Sequence, residues 1–239
     1  MMDQITILLV LLVGGIIQGA TGFGFSIFTM SILPIILPFK TASLTVLCAS
    51  LVMILSLGVR LHSKINFKLV IWPIIGSIVG RFMGVSILTF ARDDTLTKLL
   101  ALFLVSFTIY FIFFVDKIKL PANRLSGTTA GLLSGIFAGV ANVGGPPLVA
   151  FFYSTTGDKE EYMATTQVAF LAGGIVSLLI NILYGNITQE IITYSFFGTG
   201  GVLAGSYIGV KIFNCMNQGV LSRVINFYIA VMALLLLIK

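Results

Sequence analysis

Charge is scarce in this sequence. Of 239 residues only 9% are Asp, Glu, Lys or Arg, about a third of the share in a typical soluble domain. With 58% hydrophobic side chains, such a chain cannot cover a surface facing water, which excludes an ordinary soluble fold. Its eight acidic residues, Asp3, Asp93, Asp94, Asp116, Asp158, Glu160, Glu161 and Glu190, fall at the joints between apolar runs, and the runs themselves hold no carboxylate. That excludes paired-carboxylate chemistry, and no nucleophile has a base in reach, so the sequence does not describe an enzyme. The one histidine, His62, stands beside Arg60 and Lys64 at the end of a run, as a solvated interfacial residue would. Cys48 and Cys215 lie far apart within apolar runs, without metal-ligand spacing. They make neither a disulfide framework nor a zinc site. Gly22-Phe23-Gly24 lacks the lysine and the preceding strand of a phosphate loop. No cofactor is called for.

The formal net charge is +6, but the basic residues are scattered singly and form no stripe, which argues against nucleic acid. Lipid headgroups are the expected partners of these cations. The N-terminus lacks a basic n-region, carries Asp3, and runs on apolar well past a signal-peptide core, so it is expected to remain in the mature chain.

What the sequence has in abundance is apolar length. A helix needs about 20 apolar residues to cross a bilayer, and eight hydrophobic regions meet or approach that length, near 4–38, 41–61, 68–90, 96–115, 125–156, 161–184, 190–213 and 220–238. The joints are short, so a single all-α polytopic membrane domain is expected. Two regions are too long: 36 residues from Gln4 to Phe39 and 33 from Leu125 to Gly157 carry no formal charge, and each straight helix would measure about 50 Å. Gly19-Ala20-Thr21-Gly22-Phe23-Gly24-Phe25 interrupts the first and Gly139-Val140-Ala141-Asn142-Val143-Gly144-Gly145-Pro146-Pro147 the second. Each long region therefore divides into two half-helices.

The interruptions also correspond within an internal duplication. Gly19, Phe23 and Gly24 fall opposite Gly139, Val143 and Gly144; Ala42–Val46 opposite Ala164–Val168; Gly76, Gly80 and Gly84 opposite Gly201, Gly205 and Gly209; and Leu96-Thr97-Lys98 opposite Leu221-Ser222-Arg223. The reading is two four-region units, 1–120 and 121–239. If both broken regions turn back as hairpins, nine basic residues (Arg60, Lys64, Lys68, Lys117, Lys119, Arg124, Lys159, Lys211 and Arg223) lie on one side against four (Lys40, Arg92, Lys98 and Lys239). A single crossing splits them seven against six. The positive-inside rule prefers hairpins, inverted repeats and a cytoplasmic nine-residue side.

Paired, interrupted segments in two repeats point to a substrate site near the midplane, where backbone N–H groups are freed. A half-helix starting at Gly144-Gly145-Pro146 would aim its positive end at the break and could hold an anion there. Gly22 and Gly24 open the opposite break, Thr21, Ser26 and Asn142 add side-chain donors, and Phe23 and Phe25 could close the pocket. Equally, the breaks could serve only close packing of the two copies. Arg81 lies well inside a predicted span with no intramembrane carboxylate to pair with; an anionic substrate, snorkelling or a carbonyl cap would each resolve that charge. Gln18, Thr45, Gln167 and Asn181 are neutral polar residues within spans, able to line a path or to bond between helices. The four-residue glycine series place glycine on one helical face, for packing against another backbone. Such faces could serve a homodimer.

Gly19-Ala20-Thr21-Gly22-Phe23-Gly24 and Asn142-Val143-Gly144-Gly145-Pro146-Pro147, with the length, order of apolar regions and duplication, resemble the sulfite exporter TauE/SafE family of membrane permeases. The second break departs from the glycine-richer run frequent in that family. The resemblance implies movement of sulfur-containing or organic anions such as sulfite, sulfonates or sulfoacetate across a bacterial-type inner membrane. The function expected is secondary transport of a small anion by alternating access, with a passive anion channel or a noncatalytic membrane assembly subunit as the other readings. The expected substrate-binding set is Gln18, Thr21, Gly22, Phe23, Gly24, Ser26, Arg81, Asn142, Gly144, Gly145, Pro146 and Gln167.

Overall fold

The computed structural model describes residues 2–60, 62–113, 120–217 and 220. Among these, the chain forms nine α-helices and no strand: α1 (Met2–Thr21), α2 (Phe25–Ile32), α3 (Phe39–Arg60), α4 (Phe67–Phe90), α5 (Asp93–Phe113), α6 (Arg124–Ala141), α7 (Gly145–Thr155), α8 (Lys159–Leu183) and α9 (Gln189–Cys215). The expected region 220–238, apart from Val220, lies outside the described residues, as do Lys117, Lys119, Arg223, Lys239 and the Leu221-Ser222-Arg223 block.

The starts of the long helices follow from capping chemistry. Asn66, Asn123 and Thr188 each accept a hydrogen bond from the N–H three residues on, and Asp158 accepts from both Glu160 and Glu161. Each satisfies donors that the first turn leaves free. Among the described residues, five helices are long and apolar enough to cross a membrane: α1, α3, α4, α8 and α9. Their outward faces carry large apolar side chains such as Phe82 (55% exposed) and Phe196 (78% exposed), the inverse of a soluble helix and suited to lipid.

Both over-long regions turn back on themselves. Gly14, a third of α1 away from the break, faces the Phe25 and Thr29 side chains of α2, and Gly127 near the start of α6 faces Phe151 of α7. A straight continuation would separate these residues by about 16 Å or more, at about 1.5 Å per residue. The halves are helical hairpins.

Two helix pairs form the tightest contacts. Gly201, Gly205 and Gly209 of α9 lie against the carbonyls of Leu8, Leu12 and Ile16 of α1, and Gly76, Gly80 and Gly84 of α4 against those of Thr128, Leu132 and Ile136 of α6. Residue numbers rise together in both pairs, so each pair is parallel. Side chains at these glycines would meet backbone, which is why the four-residue spacing matters. The glycine faces are thus occupied within the chain. The expectation that they could serve a homodimer is corrected: they offer no surface for one.

Contacts at the helix ends fix the directions. At one end, Lys40 Nζ donates to the Thr89 carbonyl (2.9 Å) and the Phe39 N–H to Asp93 (3.0 Å), joining the start of α3, the end of α4 and the start of α5. At the opposite end, Lys64 pairs with Glu160 (3.3 Å) and Lys159 Nζ donates to the Phe213 carbonyl (3.1 Å), joining the end of α3 to the start of α8 and the end of α9. Hence α1 runs opposite to α6, α3 to α8, and α4 to α9.

Candidate substrate-binding site

The tips of the two hairpins meet inside the bundle. At the first tip the backbone escapes helical geometry through Gly22 and Gly24, with φ of 84° and 100°. That left-handed region is open to glycine and strained for nearly all other residues. At the second tip Asn142 caps α6 with φ 56°, the one such non-glycine among the described residues. Asparagine tolerates this region because its short amide can bond locally, and here it bonds across elements: Nδ2 donates to Ser26 Oγ on α2 and to Ser50 Oγ on α3, both at 3.2 Å.

Two buried glutamines hold the first tip. The Phe25 N–H donates to Gln18 Oε1 (3.2 Å), Gln18 Nε2 to Gln167 Oε1 (3.2 Å) and Gln167 Nε2 to the Gly22 carbonyl (2.8 Å). Thr21 Oγ1 donates to the Phe23 carbonyl (2.6 Å), and Tyr162 OH to the Thr21 carbonyl (3.2 Å). At the second tip Ser134 Oγ donates to the Gly144 carbonyl (2.5 Å), and Pro146 occupies the first turn of α7, where a missing N–H costs nothing.

Between the tips is a cavity of about 40 Å³, bounded by both breaks, by Ser50, Met53 and Ile54 of α3, by Phe170 and Gly174 of α8, and by Arg81 of α4. At about 10–15 Å³ of such space per water, it suits a few waters or one small ion. Arg81 is only 3% exposed. It does not snorkel: Nη1 donates to Ser177 Oγ (2.6 Å) and Nε approaches Ser77 Oγ (3.4 Å). Its guanidinium fills the space left by the absent side chain of Gly173. Among the described residues no carboxylate forms an ion pair with it.

Seven of the twelve expected residues line this cavity: Gln18, Gly24, Ser26, Arg81, Asn142, Gly144 and Gly145. Thr21, Gly22, Phe23, Pro146 and Gln167 stand behind it. Their polar groups are engaged in shaping the tips, and Phe23 is fully buried, packed near Gly145. Sequence reasoning passed over Ser50, Phe170 and Gly174, and the serines that hold Arg81. A legible signal existed: Ser77 stands one turn before Arg81, and Gly173-Gly174 leaves a gap in the middle of an otherwise bulky helix.

A chain that buries a lone guanidinium beside two helix breaks has the parts to hold an anion inside a membrane. The sulfite exporter TauE/SafE family model matches residues 7–236, nearly the whole length. The chain belongs to the TauE/SafE family. No curated protein and no solved structure matches it. Membership makes it a multi-pass membrane permease of a family that moves sulfur anions such as sulfite, and the cavity between the breaks is the TauE/SafE member's candidate substrate site.

Proposed function

We propose that the protein is a secondary transporter of a small sulfur oxyanion, sulfite or a short sulfonate, bound between the hairpin tips and released by alternating access across a bacterial-type inner membrane. The observation that carries this reading is Arg81: a guanidinium 3% exposed, against a cavity, without a carboxylate partner among the described residues. A charge buried in a membrane costs about 2.5–3.5 kcal/mol even by the mildest scale. An oxyanion in the cavity offsets that cost, and the planar donor fork of arginine suits it. Gln18 and Asn142 add amide groups, and the backbone around Gly144 and Gly145 opens α7 toward the same space.

Two inverted repeats, 1–120 and 121–239, would supply the mechanism. The reversed directions of α1 and α6, α3 and α8, and α4 and α9 support that reading, as does the reciprocal packing of α1 on α9 and α4 on α6. In such folds one repeat rocks against the other around a fixed central site. A pocket of only about 40 Å³ between the tips favours a carrier over an open channel. The end bearing Lys64, Lys68, Arg124, Lys159 and Lys211 would be cytoplasmic.

The test is uptake of labelled sulfite and methanesulfonate into proteoliposomes, with folding checked by gel filtration. Saturable uptake accelerated by trans substrate is expected. Arg81→Gln should lower it about 10–100-fold, the worth of about 1.5–3 kcal/mol for a charged hydrogen bond, and Arg81→Lys should restore part. A folded Arg81→Gln that transports normally overturns the site; absence of uptake by the native chain overturns the function.

A further inference from the structure

A second cavity lies toward the Lys40 end of the bundle. It measures about 260 Å³ and is lined by Lys40, Thr41, Leu44, Leu88, Asn186 and Thr188, among others, with no carboxylate among the described residues of its wall. Asp93, at the same end, already accepts from the Phe39 N–H.

This outer cavity is linked to Arg81 by an unbroken series of polar contacts along the seam of α4 and α8. Lys40 Nζ donates to the Thr89 carbonyl (2.9 Å), and Asn186 Nδ2 to Thr89 Oγ1 (2.8 Å). Asn186 Nδ2 also reaches Asn181 Oδ1 (2.9 Å), Asn181 Nδ2 donates to the Ser177 carbonyl (2.8 Å), and Ser177 Oγ accepts from Arg81 (2.6 Å). Thr89 stands eight residues beyond Arg81, about 12 Å along the helix. Buried side-chain amides inside a membrane helix are costly unless they bond or serve a path. Asn181 and Ser177 are each 1% exposed, so the seam is closed in this conformation.

We propose that the outer cavity is a second anion site, where a hydrated small oxyanion is held by Lys40 and Asn186, and that Asn186, Asn181 and Ser177 form the closed stretch through which it passes to Arg81. The inference rests on the transport reading above. The two volumes give the division of labour. The outer cavity has room for an oxyanion with part of its hydration shell, whereas about 40 Å³ at Arg81 admits only a stripped one. Amide and hydroxyl donors spaced along the seam replace lost waters on the way in. Lys40, at the mouth, sets capture; Asn181, in the seam, sets passage.

Initial-rate kinetics of sulfite uptake in proteoliposomes separate these roles. Lys40→Gln should raise KM about tenfold with kcat retained, Lys40→Arg should restore KM, and Asn181→Leu should lower kcat. In a Cys48→Ser, Cys215→Ser background, Thr41→Cys should react faster with an anionic thiosulfonate reagent (2-sulfonatoethyl) than with its cationic trimethylammonium counterpart, and methanesulfonate should slow the reaction. This labelling needs no Asn181 variant to fold. Native KM and kcat in both Lys40→Gln and folded Asn181→Leu, with Arg81→Gln inactive, would overturn the outer site and leave the central site standing. Charge-blind, unprotected labelling of Thr41→Cys would also overturn it. If the native chain moves neither anion, the transport reading itself falls.

Discussion

Replacing Gly15 by alanine isolates the worth of close backbone approach in this fold. Gly15 sits about two-thirds of the way along α1, and a Cβ there would lie 2.7 Å from the Val202 carbonyl oxygen and 3.1 Å from the Ser206 nitrogen of α9. Ordinary contact begins at 3.4 Å, so the helices must part by about 0.7 Å. Both neighbours are backbone and cannot rotate away. A radial gap of that size forfeits about a quarter to a half of each van der Waals contact along the line, and overpacking of this kind costs about 1–3 kcal/mol. Alanine also favours a helix over glycine by about 1 kcal/mol, which masks part of the loss. Gly200→Ala removes the ambiguity: nothing lies within 4 Å of a Cβ at Gly200, so that variant has the propensity gain alone. Thermal unfolding in detergent should place Gly15→Ala below the native protein and Gly200→Ala at or above it. The propensity gain is common to both, so the two should differ by the overpacking cost alone, about 1–3 kcal/mol, or about 2–12 °C for a chain of this size. If Gly15→Ala melts no lower than Gly200→Ala, the tight parallel packing of α1 on α9 is wrong.

At the second tip, Asn142→Ala should be less stable than Asn142→Gly by about 1–2 kcal/mol, because alanine resists φ 56° and glycine does not. Both remove the donor to Ser26 and Ser50, so both should raise KM for sulfite in the liposome assay, and a native KM in Asn142→Gly would remove Asn142 from the site. Adjacent glycines should behave differently: a Cβ on Gly144 meets the Ser134 carbonyl at 2.7 Å, while one on Gly145 stands 3.5 Å from Phe23. Gly144→Ala should express poorly or melt lower, and Gly145→Ala should fold and show a raised KM, since its methyl narrows the cavity; the opposite order in melting and kinetics would refute the tip geometry.

Much of this was legible in the residues. Runs between charges anticipated the long helices to within a few residues, because a span without charge has no other stable form in lipid. The breaks could be read because glycine and proline cannot extend a helix cheaply. Which side chains the tips enclose was less visible. Thr21 and Gln167 look like substrate ligands in the sequence, yet the fold turns Thr21 onto the Phe23 carbonyl and Gln167 onto Gln18 and the Gly22 carbonyl. Ser50, Ser77 and Ser177 look like incidental hydroxyls until the helices that bear them are placed together.

The amino-acid sequence by itself determined that the chain is helical, apolar on its outer faces and broken at two points, since these depend on local composition and on the cost of bare backbone and charge in hydrocarbon. Only the tertiary structure decided that the breaks face one cavity, that the glycine faces are consumed by α1 on α9 and α4 on α6, and that Arg81 enters the cavity rather than reaching the interface. Those outcomes join residues about 50 to 200 positions apart, such as Gly76 with Thr128, Arg81 with Ser177 and Leu8 with Gly201. Contact at that separation depends on how whole helices pack, and no local preference of the chain specifies it.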